Sequence, residues 1–326
     1  MKKILVKGVN WLGDAVMTLP ALRAIKARFP GAKISVLTKG ALAELYACEP
    51  AVDETLPYGG GFLPFVRLVR KLRKEKFDVA FVFPRSFRAT LAPFASRIPR
   101  RVGFAGDARK PILTDVVPRD AHLMAGHRVA YYLELLRPFG DVPHATAPEI
   151  VPPAEARAWA QEHVAGGPWA ALNPGATYGK AKQWYPDRYI EIGKRLAARG
   201  FRVAVVGGPA EADLGRDVAT GIGPKALNFA GKTTIPRLAA LLARCAVVVT
   251  NDTGPMHVAA AVGAPVVAIF GPTDPRTTRP FGDRFTLVRH EVPCAPCLLR
   301  ECPIDHPCMR DLTVDTVWEA CEQWLK

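Results

Sequence analysis

The sequence predicts an α/β protein built twice over, with two doubly wound parallel sheets in succession. Two observations carry this expectation. Short continuous apolar runs alternate with stretches of helical period, and polar or glycine-containing turns follow the runs. The pattern then stops between residues 143 and 153, a segment with four prolines and no periodicity, and restarts beyond it. The linker is placed there, giving domains 1–150 and 151–326.

In the first half, Lys3 to Lys7 reads as a strand, and the turn Gly8 to Asp14 leads into a helix running to about Arg28, closed by Pro30-Gly31. A strand at Ile34–Leu37 and a helix from Ala41 to Cys48 follow. Gly59-Gly60-Gly61 marks a mobile loop, and Phe62 to Lys76 a basic amphipathic helix. Its cations form either a solvated face or a membrane or acceptor contact. Strands at 78–83 and 101–104 and one long helix, Met124 to Phe139, complete the half. In the second half, strands are expected at Ala170–Asn173, Arg202–Val206 and Leu227–Ala230, with helices at Asp187–Arg199 and Ile235–Arg244. A βαβ unit follows: apolar run 246–249, polar turn Thr250 to His257, short helix, and apolar run Pro265 to Phe270. A final helix spans about Val314 to Leu325.

Length and composition bound the function. The chain has 326 residues, 49% hydrophobic and 23% charged, which suits two ordinary soluble domains. No apolar run approaches the roughly 20 residues needed to span a bilayer. Lys7, Asn10 and Asp14 interrupt any signal-peptide core, so the expected location is the cytoplasm. The net charge of +14 is uneven: residues 1–150 carry 24 Lys and Arg against 13 Asp and Glu, the remainder 20 against 17. The basic first half suits a polyanionic partner.

The turn Thr250-Asn251-Asp252-Thr253-Gly254-Pro255-Met256-His257 is the strongest candidate site. Gly254 releases the turn from Cβ constraints, and Pro255 suits the first helical turn, where its missing N–H costs nothing. The remaining N–H groups and the helix dipole favour an anion beyond the strand end. Asp252, Thr253 and His257 would ring that spot; singly, each also reads as an ordinary cap or helix residue. Thr177, Lys180 or Lys182 fall on another strand-end loop. Glu211, after Gly207-Gly208, suits a ribose diol or simply begins a helix. Asp14 is a capping carboxylate or a general base. Neither glycine-rich turn has dinucleotide or P-loop spacing, which disfavours hydride transfer and P-loop phosphoryl transfer.

Taken together, Asn10-Trp11-Leu12-Gly13-Asp14 with Leu19-Pro20-Ala21-Leu22, Lys182-Gln183-Trp184, and Asn251 to His257 resemble the bacterial heptosyltransferases of lipopolysaccharide core assembly, most of all the heptosyltransferase II branch. The resemblance runs essentially end to end. It implies a GT-B fold, two Rossmann-like domains facing across a cleft. The acceptor would lie on the first domain, with Asn10, Trp11 and Gly13 on that side, and the ADP-sugar on the second. It implies inverting transfer of L-glycero-D-manno-heptose from ADP-heptose to heptosyl-Kdo2-lipid A, with no cofactor or catalytic metal, at the inner face of the cytoplasmic membrane. By the same resemblance Asp14 is the base, Lys182 meets the donor phosphate, Thr177 lies near a matching threonine, and Glu211 binds the nucleoside. Asp252, Thr253, Gly254 and His257 form the donor turn. A final helix of this kind often returns toward the first domain.

Cys294, Cys297, Cys302, His306 and Cys308 lie within fifteen residues, a spacing open to a structural Zn²⁺ on the four cysteines or to reduced thiols. Cys48, Cys245 and Cys321 stand alone. The alternatives to the leading reading are heptosyltransferase I, another nucleotide-sugar GT-B transferase, a GT-B-like epimerase, and a basic nucleic-acid-binding protein with structural zinc. Against the last, the basic residues are not interleaved with aromatics on a recognisable module.

Overall fold

A computed structural model describes residues 1–325. The chain divides into two compact units, residues 1–148 and 149–326. The segment 141–153 before the second unit's first helix has no regular structure.

Unit 1 is a six-stranded sheet whose pairs are all parallel. Its strands are β1 (Lys3–Lys7), β2 (Lys33–Thr38), β3 (Glu54–Pro57), β4 (Val79–Val82), β5 (Arg100–Phe104) and β6 (Asp115–Val117). Their order is β3-β2-β1-β4-β5-β6. Val79–Val82 is buried throughout, as a strand covered on both faces must be. Unit 2 repeats the plan with β7 (Trp169–Asn173), β8 (Arg202–Val205), β9 (Ala226–Asn228), β10 (Cys245–Asn251), β11 (Val266–Phe270) and β12 (Phe285–Arg289), ordered β12-β11-β10-β7-β8-β9. Each sheet reverses its direction of winding once, between β1 and β4 and between β7 and β10. In open parallel sheets ligands bind beyond the strand ends at such a reversal.

Two expected helices are interrupted, each for a local reason. The helix after β1 is two helices, Leu12–Met17 and Leu19–Arg28, meeting at Thr18. Pro20 has no N–H for the carbonyl of Val16 and its ring crowds that turn; the Thr18 hydroxyl instead donates to the Ala15 carbonyl at 2.6 Å. The expected 124–139 helix is three pieces, Ala121–Ala125, Arg128–Leu133 and a 3₁₀ stretch Glu134–Phe139. Gly126 is extended there, and Pro138 suits only the tighter final turn. The Phe62–Glu75 helix forms as expected and fully buries only Leu72.

The core of unit 2 gathers Leu172, Trp184, Tyr189, Val205, Val249 and Ile269. The closing helix, Val314–Glu322, buries Val317, Ala320 and Cys321 in this same core. Its apolar face finds there the side chains that remove it from water. Among the described residues no helix is long and apolar enough to cross a membrane.

Candidate active site

In unit 1, Asp14 lies in the first turn of the Leu12–Met17 helix, directly beyond β1 and so at the reversal of the sheet. Trp11 occupies the N-cap position, and its carbonyl accepts from the Ala15 N–H at 2.9 Å. The half-buried Asp14 carboxylate is in the positive end of that helix, where an anion is favoured. The Tyr132 hydroxyl approaches Asp14 Oδ1 at 3.5 Å. Burial first, and the Asp14 charge second, hold the Tyr132 phenol well above its ordinary range, so it stays a neutral donor.

Asp14 opens on a cavity of about 560 Å³ that also exposes Asn10, Trp11, Arg85, Arg119 and Arg128. Sequence reading did not single out these three arginines. Arg85 follows β4, Arg119 follows β6 and Arg128 opens a helix, and only the sheet order brings them to one place. One acid besides Asp14, Asp107, faces the cavity. A carboxylate beside three guanidinium groups gives a site able to hold an anionic molecule while taking a proton from one of its hydroxyls. Gly13 is within the same helix and does not line the cavity.

In unit 2, the predicted turn lies at the carboxyl end of β10, and the helix Gly254–Ala261 begins immediately after it, with Pro255 in its first turn. No side chain caps that helix: Thr253 stands at the N-cap position without a capping bond. The Thr253 hydroxyl is held by Asn173 Nδ2 at 2.7 Å, and Asn173 also donates to Thr250 Oγ1 at 2.9 Å. Asn173 ends β7, so this pair fastens the two strands that flank the reversal. Asn251 fixes the neighbouring loop by donating to the carbonyls of Pro174 and Gly175 at 3.0 and 3.1 Å.

Lys182 and Asp252 meet as a buried ion pair. Lys182 Nζ is 2.6 Å from Asp252 Oδ2, and the side chains are only 14% and 5% exposed. Lys182 also donates to the Asp252 carbonyl at 3.1 Å, and the Thr273 hydroxyl donates to the same carboxylate oxygen at 2.7 Å. Asp252 is thus an anchor for Lys182 and for the loop after β11. The ring of Tyr178 lies 5.2 Å from Lys182 Nζ and 4.9 Å from the Arg300 guanidinium.

Glu211 accepts from the Gly208 N–H at 2.7 Å, and its carboxylate lies over Gly175, where an added Cβ would be 2.1 Å from Oε1. Glu211 therefore stands at the end of β7 as well as that of β8. His257 is buried in the helix after the turn. Thr177 is exposed in its loop and makes no side-chain hydrogen bond within the described residues. Sequence reading also missed Asn173 and Thr273, which are polar residues closing apolar runs at the ends of β7 and beyond β11.

The cysteine segment is graded in exposure: Cys294 exposed, Cys297 and Cys302 half-buried, Cys308 buried. Burial, then the neighbouring Cys294, Cys297 and Cys302, pushes the Cys308 thiol up to about 11. His306 donates through Nε2–H to the Ala181 carbonyl oxygen at 2.8 Å. Among the described residues no three His, Cys, Asp or Glu side chains are arranged to hold a metal ion.

Comparison with known proteins shows the family of the chain. The profile of glycosyltransferase family 9 (heptosyltransferase) matches residues 65–307. The chain is 33% identical over 316 residues to lipopolysaccharide heptosyltransferase 2 of Salmonella typhimurium, covering 88% of each chain. It is 32% identical to the Escherichia coli protein of the same name, again over 88% of each. Among solved structures, E. coli ADP-heptose LPS heptosyltransferase II superposes with a TM-score of 0.87 at 28% identity, over 100% of this chain and 98% of that one. A family 9 glycosyl transferase from Veillonella parvula, 22% identical, shares the fold at a TM-score of 0.85, over 99% of this chain and 97% of that one. The chain belongs to glycosyltransferase family 9, the heptosyltransferase family.

Proposed function

We propose that the chain transfers L-glycero-D-manno-heptose from ADP-heptose to a heptosyl-Kdo2-lipid A acceptor, with inversion and without a catalytic metal. The observation that carries this reading is the 33% identity to a lipopolysaccharide heptosyltransferase 2 over 88% of both chains. The geometry supports it. In this reading unit 1 takes the acceptor: Asp14 removes the proton of the attacking hydroxyl, Asn10 and Trp11 shape the approach, and the arginine-rich cavity holds acidic groups of the sugar chain. Unit 2 takes the donor: Glu211 accepts from the ribose, while Lys182 and the uncapped helix after Thr253 face the diphosphate. Gly254 opens that helix, and Asp252, Thr253, Thr177 and His257 complete the donor side.

The hydroxyl oxygen forms a bond to the anomeric carbon as the bond to the β-phosphate oxygen breaks. The proton goes to Asp14 and the electron pair leaves with ADP. Because attack comes from the face opposite the leaving group, the anomeric configuration inverts. Charge grows on the departing diphosphate, where preorganised N–H groups and a lysine stabilise it most.

The reading extends to location: a cytoplasmic protein held peripherally at the inner membrane. The Phe62–Glu75 helix supports this, carrying Arg67, Arg70, Lys71, Arg73 and Lys74, with Phe62 and Leu63 exposed at its start. Structural zinc on Cys294, Cys297, Cys302 and Cys308 is a separate question that metal analysis answers: stoichiometric zinc supports it, and folded zinc-free protein discards it.

The experiment is to incubate purified protein with ADP-heptose and heptosyl-Kdo2-lipid A and weigh the product. A mass gain of one heptose, with the configuration at the new linkage opposite to that of the donor, is expected. A product that retains the donor configuration, or no product despite donor binding, would refute the mechanism or the acceptor respectively.

A further inference from the structure

Unit 1 contains a second cavity, of about 780 Å³, beside the one that Asp14 faces; the two share Asn10, Pro84 and Ser86. Three cations line it, Lys7, Lys39 and Arg88, and no aspartate or glutamate does. Lys7 is the unusual member. It ends β1, it is 5% exposed, and its ammonium has no carboxylate partner: it donates to the Gly8 carbonyl at 2.8 Å and lies 4.5 Å from the centre of the Tyr58 ring. A buried lysine facing other cations is held at a cost that an anion would relieve.

Much of the remaining lining is apolar. Tyr58, Phe65 and Leu68 line the cavity and pack on the core residues Leu5, Leu37 and Leu72. At the start of the Phe62–Glu75 helix, Phe62 is 78% exposed and Leu63 65%. Exposed side chains of that size, adjoining an apolar wall, mark a surface that something apolar covers. A sugar alone would answer neither the cations nor this wall. A molecule bearing an acidic group next to hydrocarbon answers both.

We propose that this cavity seats the acidic, acyl-bearing end of the acceptor glycolipid, with Lys7, Lys39 and Arg88 around a phosphate or carboxylate and Tyr58, Phe62, Phe65 and Leu68 around the adjoining hydrocarbon. The inference rests on the reading of the acceptor given above. It adds that the lipid end is bound by the protein rather than left wholly in the bilayer. The shared lining residues allow one molecule to reach both cavities, its reacting hydroxyl at Asp14 and its lipid end here.

Arg88→Gln and Lys39→Gln test this, since both residues are exposed and neither supports the core. Two acceptors are compared, the intact glycolipid and its deacylated, dephosphorylated oligosaccharide. Loss of one charge-assisted contact should raise KM for the intact acceptor roughly ten-fold. KM for ADP-heptose, KM for the oligosaccharide and kcat should hold. Equal effects on both acceptors would overturn the proposal.

A binding arm needs no turnover: dodecyl phosphate, below its micelle concentration, should raise the melting temperature of the wild type more than dodecyl maltoside or inorganic phosphate. The variants should lose that gain. An undiminished gain in both variants would place the ligand elsewhere and end the proposal. If the variants lose only adsorption to phosphatidylglycerol vesicles while every KM holds, the cavity serves bilayer lipid and the proposal also falls. Absence of transfer to either acceptor by the wild type would sink the functional reading, while the dodecyl phosphate arm would still judge the cavity.

Discussion

Replacing Lys182 by methionine should destabilise unit 2 far more than a surface substitution. The change keeps most of the unbranched side chain and removes its charge, leaving the Asp252 carboxylate, 5% exposed, with Thr273 as its remaining side-chain partner. Removing one member of a buried ion pair costs about 3–5 kcal/mol, because the other charge stays desolvated and uncompensated. The hydroxyl of Thr273 still donates at 2.7 Å, which places the expectation toward the lower end, about 3 kcal/mol. Asp252→Asn should cost less, about 1–2 kcal/mol. Lys182 keeps the Asp252 main-chain carbonyl at 3.1 Å, and the new amide oxygen can still accept. Urea unfolding followed by tryptophan fluorescence measures both, since the buried Trp184 lies two residues from Lys182 and its N–H donates to Asn251 at 3.1 Å. A double-mutant cycle then isolates the coupling. A Lys182→Met cost below about 1 kcal/mol, or a larger cost for Asp252→Asn, would refute the reasoning: the pair would then behave as an exposed one.

Three further outcomes follow. Asp14→Asn should lower turnover roughly 10²–10⁴-fold with donor affinity kept, checked by steady-state kinetics and ADP-heptose titration; near-normal turnover would remove Asp14 as the base. Gly175→Ala should push the Glu211 carboxylate from its place, since the new Cβ would sit 2.1 Å from Oε1; KM for ADP-heptose should rise severalfold while the melting temperature moves little, and an unchanged KM would detach Glu211 from the donor. Lys7→Met should stabilise the protein near neutrality. Burial first, then Lys39, pulls the Lys7 ammonium down from 10.5 to about 7. Between about pH 7 and 10 the unfolded chain therefore binds the extra proton, so wild-type stability rises with pH across that window. The variant lacks this dependence. Its advantage should be at most about 4 kcal/mol near pH 7 and fall below about 1 kcal/mol by pH 10. A gain that does not shrink as pH rises would show that Lys7 is not the buried cation described.

The sequence was most readable where consecutive residues carry the chemistry. The run from Cys245 through Phe270 displays its strand, turn, helix and second strand without help from the rest of the chain, because buried parallel strands are continuous apolar runs and Gly-Pro punctuates the turn. Asp14 was legible for the same reason, being placed by a strand and a helix start a few residues apart. Arg85, Arg119 and Arg128 were not: each looks like an ordinary surface charge, and the winding order of the sheet alone brings them to one cavity. Asn173 escaped notice because its role is to bridge β7 to Thr253, eighty residues away. The broken helices are a different failure. Hydrophobic period reports which face is buried, and it continues across Pro20 and Gly126 even where the backbone hydrogen bonds do not. The pairing of Lys182 with Asp252 was half visible: both residues were marked for the donor, but not that each neutralises the other.

The most direct test of the central claim is a transfer assay with ADP-heptose and two acceptors, Kdo2-lipid A with and without the first heptose, read by mass spectrometry. Addition of one heptose to the heptose-bearing acceptor alone is the predicted result. Addition to the bare Kdo acceptor would contradict it and move the chain to the first-heptose reaction.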